Sequence, residues 1–203
     1  VLGVLYPELD KLSKAGISSA ENAWDLTLCS VDFLPRGKGL LRLTELLHLL
    51  NPEEAQRILA RLRLSNVQTD EIGRRISAAP LPSVDQDDEE IRRWLSAIGP
   101  ERLNPLTRME LARTRANPSS IRSPSEVVGL WRRARAIRSS GTPLTISDLD
   151  IDGHDLIRMG LSPGPNFAKI LDELLDFVLA DPTQNQKEIL ERHIKGSFCS
   201  DGK

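Results

Sequence analysis

Arginines are the residues of this 203-residue chain whose type and clustering point most directly to chemistry. Between Arg102 and Ser140 there are nine, at positions 102, 108, 113, 115, 122, 132, 133, 135 and 138, against two acids, Glu110 and Glu126, and no lysine. That segment carries a net +7, and the other eighteen basic and twenty-seven acidic residues leave −9 elsewhere. The overall charge of −2 therefore hides a separation, and a positive face on an acidic body is expected. Arginine's planar fork bonds a phosphate through two N–H donors at once, so such a face suits a polyanion. Arg132, Arg133 and Arg135, with Arg138 near the end of the same helix, are the leading phosphate candidates, followed by Arg113, Arg115 and Arg122. The competing reading is a solvated helix face that binds nothing. Arg36, Lys38 and Arg42 form a smaller basic loop, while Arg92 and Arg93, beside the acidic run from Asp85 to Glu90, are expected to pair locally.

A second concentration of chemistry lies in the glycine-bearing stretch from Pro143 to Lys169. Gly153 permits a tight turn before a short helix from about His154 to Met159, and Gly160 stands where a C′ glycine ends it. Ser162 can cap the next helix, with Pro163 or Pro165 in its first turn, and Gly164 lets a neighbour approach the backbone closely. Exposed amides at a helix start, with glycine beside them, suit a phosphate. Gly153, His154, Pro163, Gly164 and Asn166, with Lys169 one turn on, are therefore candidate contacts. A capped helix hairpin without a ligand is the alternative.

Other chemistries find little support. Cys29 and Cys199 are far apart and sit in no CxxC or His-rich setting, so neither a disulfide framework nor a zinc site is expected, and a reducing, cytoplasmic compartment is. His48 cannot hold a metal alone, since a site needs about three or four ligands; it reads as a packing or surface residue on a leucine-rich helix. No apolar run approaches the roughly 20 residues that cross a bilayer. The opening Val1 to Pro7 has neither a positive n-region nor an initiator Met, and reads as the start of a piece of a longer protein.

The elements that must position these residues are helical. Leu43, Leu46, Leu47 and Leu50 recur at i, i+3, i+4, i+7. Asn51-Pro52-Glu53-Glu54 is a strong helix start, and Ala55, Ile58, Leu59 and Leu62 give that helix its apolar stripe. Ile91, Trp94, Leu95 and Ile98 form another, stopped by Gly99-Pro100. Val127, Leu130, Trp131, Ala134 and Ile137 form a third. Phe167, Ile170, Leu171, Leu174, Leu175, Val178 and Leu179 hold one face for over three turns. A last helix is expected from about Asn185 to Lys195, with Lys187–Glu191 and Glu188–Arg192 as i, i+4 pairs. Strand signals are nearly absent, and aromatics at 4% disfavour the stacking platforms of strand-based RNA binders. An all-α chain is expected, with breaks near Ser77–Ser83 and Ser139–Pro143. These divide it into 1–80, 81–140 and 141–203.

The run PLTISDLDIDGHDLIRMGLSPGPNFAKILDELLDFVLADPTQN, from Pro143 to Asn185, resembles the tail of bacterial class II tRNA nucleotidyltransferases (CCA-adding enzymes) and poly(A) polymerases. It matches their pattern at Gly153, Asp155, Leu156, Gly160, Leu161, Pro163, Gly164, Pro165, Ile170, Leu171 and Asn185. Phe167-Ala168 stands where Ile-Gly is more usual. Upstream, Tyr6-Pro7-Glu8-Leu9 resembles the entry to that family's helical body. Ala23 to Leu28, Leu46 to Leu49 and Glu89 to Gly99 resemble segments of members that carry an HD domain. Leu26 and Leu49 replace the His and Asp that an HD metal site needs, so 1–80 is expected to be a degenerate HD-like body. The resemblance implies that 81–140 is a second body segment with an arginine-rich face and 141–203 a tail, which together grip the tRNA elbow and acceptor stem.

It also implies a catalytic head absent from this chain, where Mg2+ ions held by paired carboxylates near a Gly-Ser motif act on ATP and CTP. Asp148-Leu149-Asp150 and Asp150-Ile151-Asp152 have the spacing of such carboxylates but no strand context. The chain alone is therefore expected to be inactive, to need no cofactor, and to contribute RNA binding to a parent that acts on tRNA or, as a poly(A) polymerase, on another RNA. A non-catalytic adaptor derived from an HD domain and binding protein is the third reading.

Overall fold

The computed structural model describes residues 6–15 and 23–198; the opening Val1 to Leu5 and Cys199, which entered the sequence reading, lie outside them. Every regular element among the described residues is helical. The helices are α1 (Pro7–Ala15), α2 (Ala23–Phe33), α3 (Gly39–Leu47), α4 (Pro52–Arg61), α5 (Asn66–Ile76), α6 (Asp88–Ile98), α7 (Leu103–Ala116), α8 (Pro124–Ser139), α9 (Gly153–Arg158), α10 (Pro165–Ala180) and α11 (Lys187–Phe198). Single 3-10 turns occupy Pro100–Arg102, Ile146–Asp148 and Pro182–Gln184. The all-α expectation holds. Among the described residues no helix is long and apolar enough to cross a membrane.

The chain folds as two units, each assembled from separate stretches. The first draws on Val1–Val84 and Glu101–Arg132, the second on Asp85–Pro100 and Arg133–Lys203. In the first, Leu9, Leu47, Leu50, Ala55, Ile58, Leu59 and Ile72 form one apolar cluster, and Leu34, Leu41, Met109 and Ala112 a smaller one. The stripes of α3 and α4 supply most of the larger cluster because both have the 3.6-residue period. Asn51 starts α4 as its sequence suggests, its Oδ1 accepting the Glu54 amide at 2.9 Å with Pro52 in the first turn. A capping box that the sequence reading passed over starts α5, where Ser65 and Gln68 bond each other's backbone amides. Glu8, buried on α1, accepts both Nη groups of Arg61 on α4, each at 2.9 Å. That bidentate bond holds the Glu8 carboxyl down at about 2.

In the second unit Leu149, Ile151, Leu156, Ile170, Leu174, Val178, Leu190 and Ile194 share one core. α6 packs against α10. The acidic run at the start of α6 does local work there, since Asp87 caps the helix by accepting the Glu90 amide at 2.9 Å. Gly99 ends it with φ +80°. Arg93 pairs with Glu89 as expected, and also with Asp176. Arg92 instead donates to the carbonyls of Leu179 and Ala180, at 2.6 and 2.9 Å, and so closes the C-terminal end of α10.

Two local expectations need correction. Ser162 does not cap α10; Gly164 occupies that position, directly before Pro165, and no side chain caps the helix. Gly153 needs no unusual backbone: it is the first residue of α9, and a methyl placed on it would meet the Phe167 ring at an ordinary 3.8 Å. Gly160 does need its glycine, with φ +86° at the end of α9. Gly160→Ala is therefore expected to lower stability by about 1–2 kcal/mol, the left-handed penalty. Gly153→Ala should leave stability unchanged or raise it by a few tenths of a kcal/mol. Urea unfolding of the two variants decides between these outcomes.

Candidate nucleic-acid interface

Helix formation alone would leave nine arginines projecting from residues 102–138, but carboxylates distant in sequence reach several of them. Arg113 on α7 closes a bidentate contact with Glu45 on α3, its Nε 2.9 and 3.1 Å from the two carboxylate oxygens and Nη2 at 2.9 Å. Glu45 is 0% exposed and also accepts the Ser30 hydroxyl at 2.7 Å. Arg102 is buried against Glu71 and Glu101. Arg122 donates to the carbonyls of Leu81 and Pro82, each at 3.1 Å. In the second unit Arg133 donates to the Gln86 carbonyl at 2.9 Å and to Asp88 at 2.8 Å. The expected single positive face is therefore not formed by all nine. Arg108, Arg115, Arg132, Arg135 and Arg138 are the exposed members. Of these, Arg108, Arg115, Arg132 and Arg138 have no hydrogen bond or ion pair with any described residue.

Leu26 and Leu49, which the sequence comparison sets in place of a His and an Asp, do come together with His48. With Ser30, Glu45 and Arg113 they line a pocket of about 200 Å³ in the first unit. Its carboxylate and its guanidinium, Glu45 and Arg113, are paired with each other. His48 donates through Nδ1 to the Glu45 carbonyl at 2.7 Å. Burial, reinforced by the Arg113 charge, pulls its pKa below the ordinary 6.5 against the opposing pull of Glu45, so the ring stays neutral at pH 7. Among the described residues no three His, Cys, Asp or Glu side chains are grouped to hold a metal.

The tail turn is built from hydrogen bonds that the motif spells out. Asp152 accepts the amides of His154 and Asp155 at 2.8 and 3.1 Å, and Asp155 accepts the Asp152 amide at 3.0 Å. Lys187 and Arg158 complete the surroundings of Asp155, which is 6% exposed. The Lys187 bond first, then the Asp152 amide, hold its carboxyl at about 2. Lys187 thus turns to Asp155 rather than to Glu191. Asn185 ties the preceding loop in both directions, accepting the Asp150 amide and donating to the Asp148 carbonyl, both at 3.0 Å. The start of α9 is consequently occupied by its own carboxylate. This changes the expectation of an open anion site there: the free helix start is that of α10, beside Gly164. His154, Pro163, Gly164, Asn166 and Lys169 are all exposed, and Gly153 is half-buried.

The same geometry tests the Asp-x-Asp pairs as metal ligands. Asp148 Oδ2 accepts the Leu144 and Thr145 amides and the Thr145 hydroxyl, at 3.1, 2.8 and 2.8 Å. Burial alone would raise its pKa, but these bonds outweigh it and lower the value. Asp152 is committed to α9. Each pair thus has one member, Asp148 or Asp152, committed as a cap, and the pairs do not fit the Mg2+ pair of nucleotidyl transfer.

Among the described residues the architecture is all-helical, in two units, with arginines left to solvent. A family model described as tRNA nucleotidyltransferase domain 2, putative, matches residues 41–194, well over half of the chain, and the chain belongs to that family. No curated protein and no solved structure matches it.

Sequence reasoning missed Glu45 as the partner of Arg113, because the two are 68 residues apart. The buried pair predicts two outcomes. Arg113→Ala leaves Glu45 charged and dry and is expected to lower stability by about 3 kcal/mol, read by urea unfolding; a loss under about 1 kcal/mol would contradict this role. For His48, the unfolded chain takes up the proton first as pH falls below 6.5. Its contribution to stability is therefore complete above that pH and declines below it, down to the depressed folded value. Unfolding free energy measured from pH 7.5 to 5 should fall more steeply in the wild type than in His48→Gln.

Proposed function

We propose that this chain is the RNA-gripping part of a tRNA nucleotidyltransferase, holding the elbow and acceptor stem of tRNA so that the 3′ end reaches a catalytic part outside it. Mg2+, ATP and CTP belong, in this reading, to that other part. The observation that carries the proposal is the set of arginines of residues 102–138 without a partner among the described residues, Arg108, Arg115, Arg132 and Arg138, in a chain of this family. Guanidinium groups without a protein carboxylate keep their full attraction for phosphate. Arg135, also exposed, and the open turn at Gly164, Asn166 and Lys169 extend the contacts within the second unit. Gripping of this kind reads A-form shape through phosphates and 2′-hydroxyls, which suits a protein that must accept every tRNA.

Arg113 and Arg122 contribute, in this reading, by fixing α7 and the 81–82 segment in the first unit, and Arg133 by fixing the start of α6 in the second. Titrating labelled tRNA at several salt concentrations against the wild type and Arg132→Ala/Arg138→Ala tests it. Wild-type affinity should fall steeply with salt, and the double variant should bind more weakly with a log–log slope shallower by about two. Unlabelled poly(A) as competitor reports which RNA is preferred. Absence of binding even at low salt would overturn the reading and favour a protein-binding adaptor.

A further inference from the structure

The second unit contains a pocket of about 330 Å³ between the 161–162 turn and the first two turns of α10, lined by Leu161, Ser162, Asn166, Phe167, Lys169 and Ile170. Its composition is specific. Phe167, Leu161 and Ile170 make an apolar floor continuous with the core of the unit, while Ser162, Asn166 and Lys169 stand at the rim, exposed. None of these three polar side chains has a hydrogen bond or ion pair with a described residue. No carboxylate lines the pocket. The larger groove between α4 and α5, of about 450 Å³, has by contrast no aromatic ring in its lining and carries two carboxylates, Glu53 and Asp70, against one cation, Arg74.

An apolar floor with an aromatic ring, unpartnered amide and hydroxyl groups, and one cation within a turn are the needs of a single nucleotide. The ring stacks, the amide meets the base edge, and the ammonium meets the phosphate. The volume, near the lower end of ligand pockets, admits one ring system and not a duplex. We propose that this pocket receives one unpaired base of the bound RNA, stacked on Phe167, with Asn166 at its Watson–Crick edge and Lys169 at its phosphate. The proposal rests on the RNA-gripping reading and adds to it a contact that is made by stacking and not by charge.

That difference supplies the test. In tRNA titrations across salt concentrations, Phe167→Leu keeps an apolar side chain on the core and removes the ring. It should weaken binding roughly ten-fold, the scale of one base–aromatic stack, with the salt slope unchanged. Asn166→Ala, at an exposed position without a partner and therefore harmless to folding, should weaken binding by about two- to five-fold, as expected for one hydrogen bond, again without a change in slope. Lys169→Ala should make the slope shallower by about one. Chemical probing of the complex should show one unpaired base protected by the wild type and exposed again by Phe167→Leu. If the wild type binds tRNA but Phe167→Leu and Asn166→Ala bind within two-fold of it, this inference fails and the gripping reading stands. If Phe167→Leu proves unfolded, Asn166→Ala and the probing of the wild-type complex decide alone. If the wild type binds no tRNA, both fail together.

Discussion

A carboxylate with no access to water organises the first unit. Glu45 is buried at a helix end, and an isolated ion there would be several kcal/mol unfavourable. The fold answers with donors from two other helices, Ser30 on α2 and Arg113 on α7. Because a bidentate guanidinium tolerates little displacement, the pair fixes α3 against α7 in register as well as in proximity. The pocket that Leu26, His48 and Leu49 line is shaped by that decision. Two leucines line it, and its charged groups are the Glu45–Arg113 ion pair, whose charges cancel. The neutral His48 ring follows from the same arrangement, since a proton on it would meet burial and the Arg113 charge together.

The second unit solves a different problem, that of holding short elements in place. A six-residue helix such as α9 has too few internal hydrogen bonds to persist alone. Its stability is borrowed from both ends. Asp152 and Asp155 form a reciprocal cap, Lys187 on α11 holds Asp155, and Asn185 holds the loop that precedes it. Leu149, Ile151 and Leu156 then have fixed places in the core built by α10 and α11. Three of the motif's carboxylates, Asp148, Asp152 and Asp155, are thereby accounted for as short-range hydrogen-bond acceptors for backbone amides.

Legibility in the sequence followed range. Asn51-Pro52 at the start of α4, Gly99 and Gly160 at helix ends, and the stripes of α6 and α10 are determined by neighbours within four or five residues, and the sequence shows them. The contacts of Arg113 with Glu45, of Arg92 with the end of α10, and of Asn185 with Asp148 and Asp150 join residues at least 35 apart, and no local pattern carries them. Ser162 failed as a cap for a local reason that was open to inspection: Gly164 immediately precedes Pro165, which fixes the first turn, so the cap position was already taken. Of the candidate site, the arginine segment and the tail turn were legible as regions. Which of their members face solvent was not.

That sorting bears on how charge counts should be used. The +7 of residues 102–138 is a property of the chain, whereas attraction for a polyanion is a property of the surface after its internal pairs have formed. Arg102, Arg113, Arg122 and Arg133 neutralise carboxylates or satisfy carbonyls of the fold. Their charge is engaged within the fold, and what they hold in place is backbone. Arg108, Arg115, Arg132 and Arg138 carry their charge to solvent. An exposed arginine on a long flexible stem has a defined position only if its helix is fixed, and these helices are fixed by arginines of the same segment. The clustering of arginine in this sequence therefore meets a demand of the fold at Arg102, Arg113, Arg122 and Arg133, and in the reading proposed here a demand of the ligand at the exposed members.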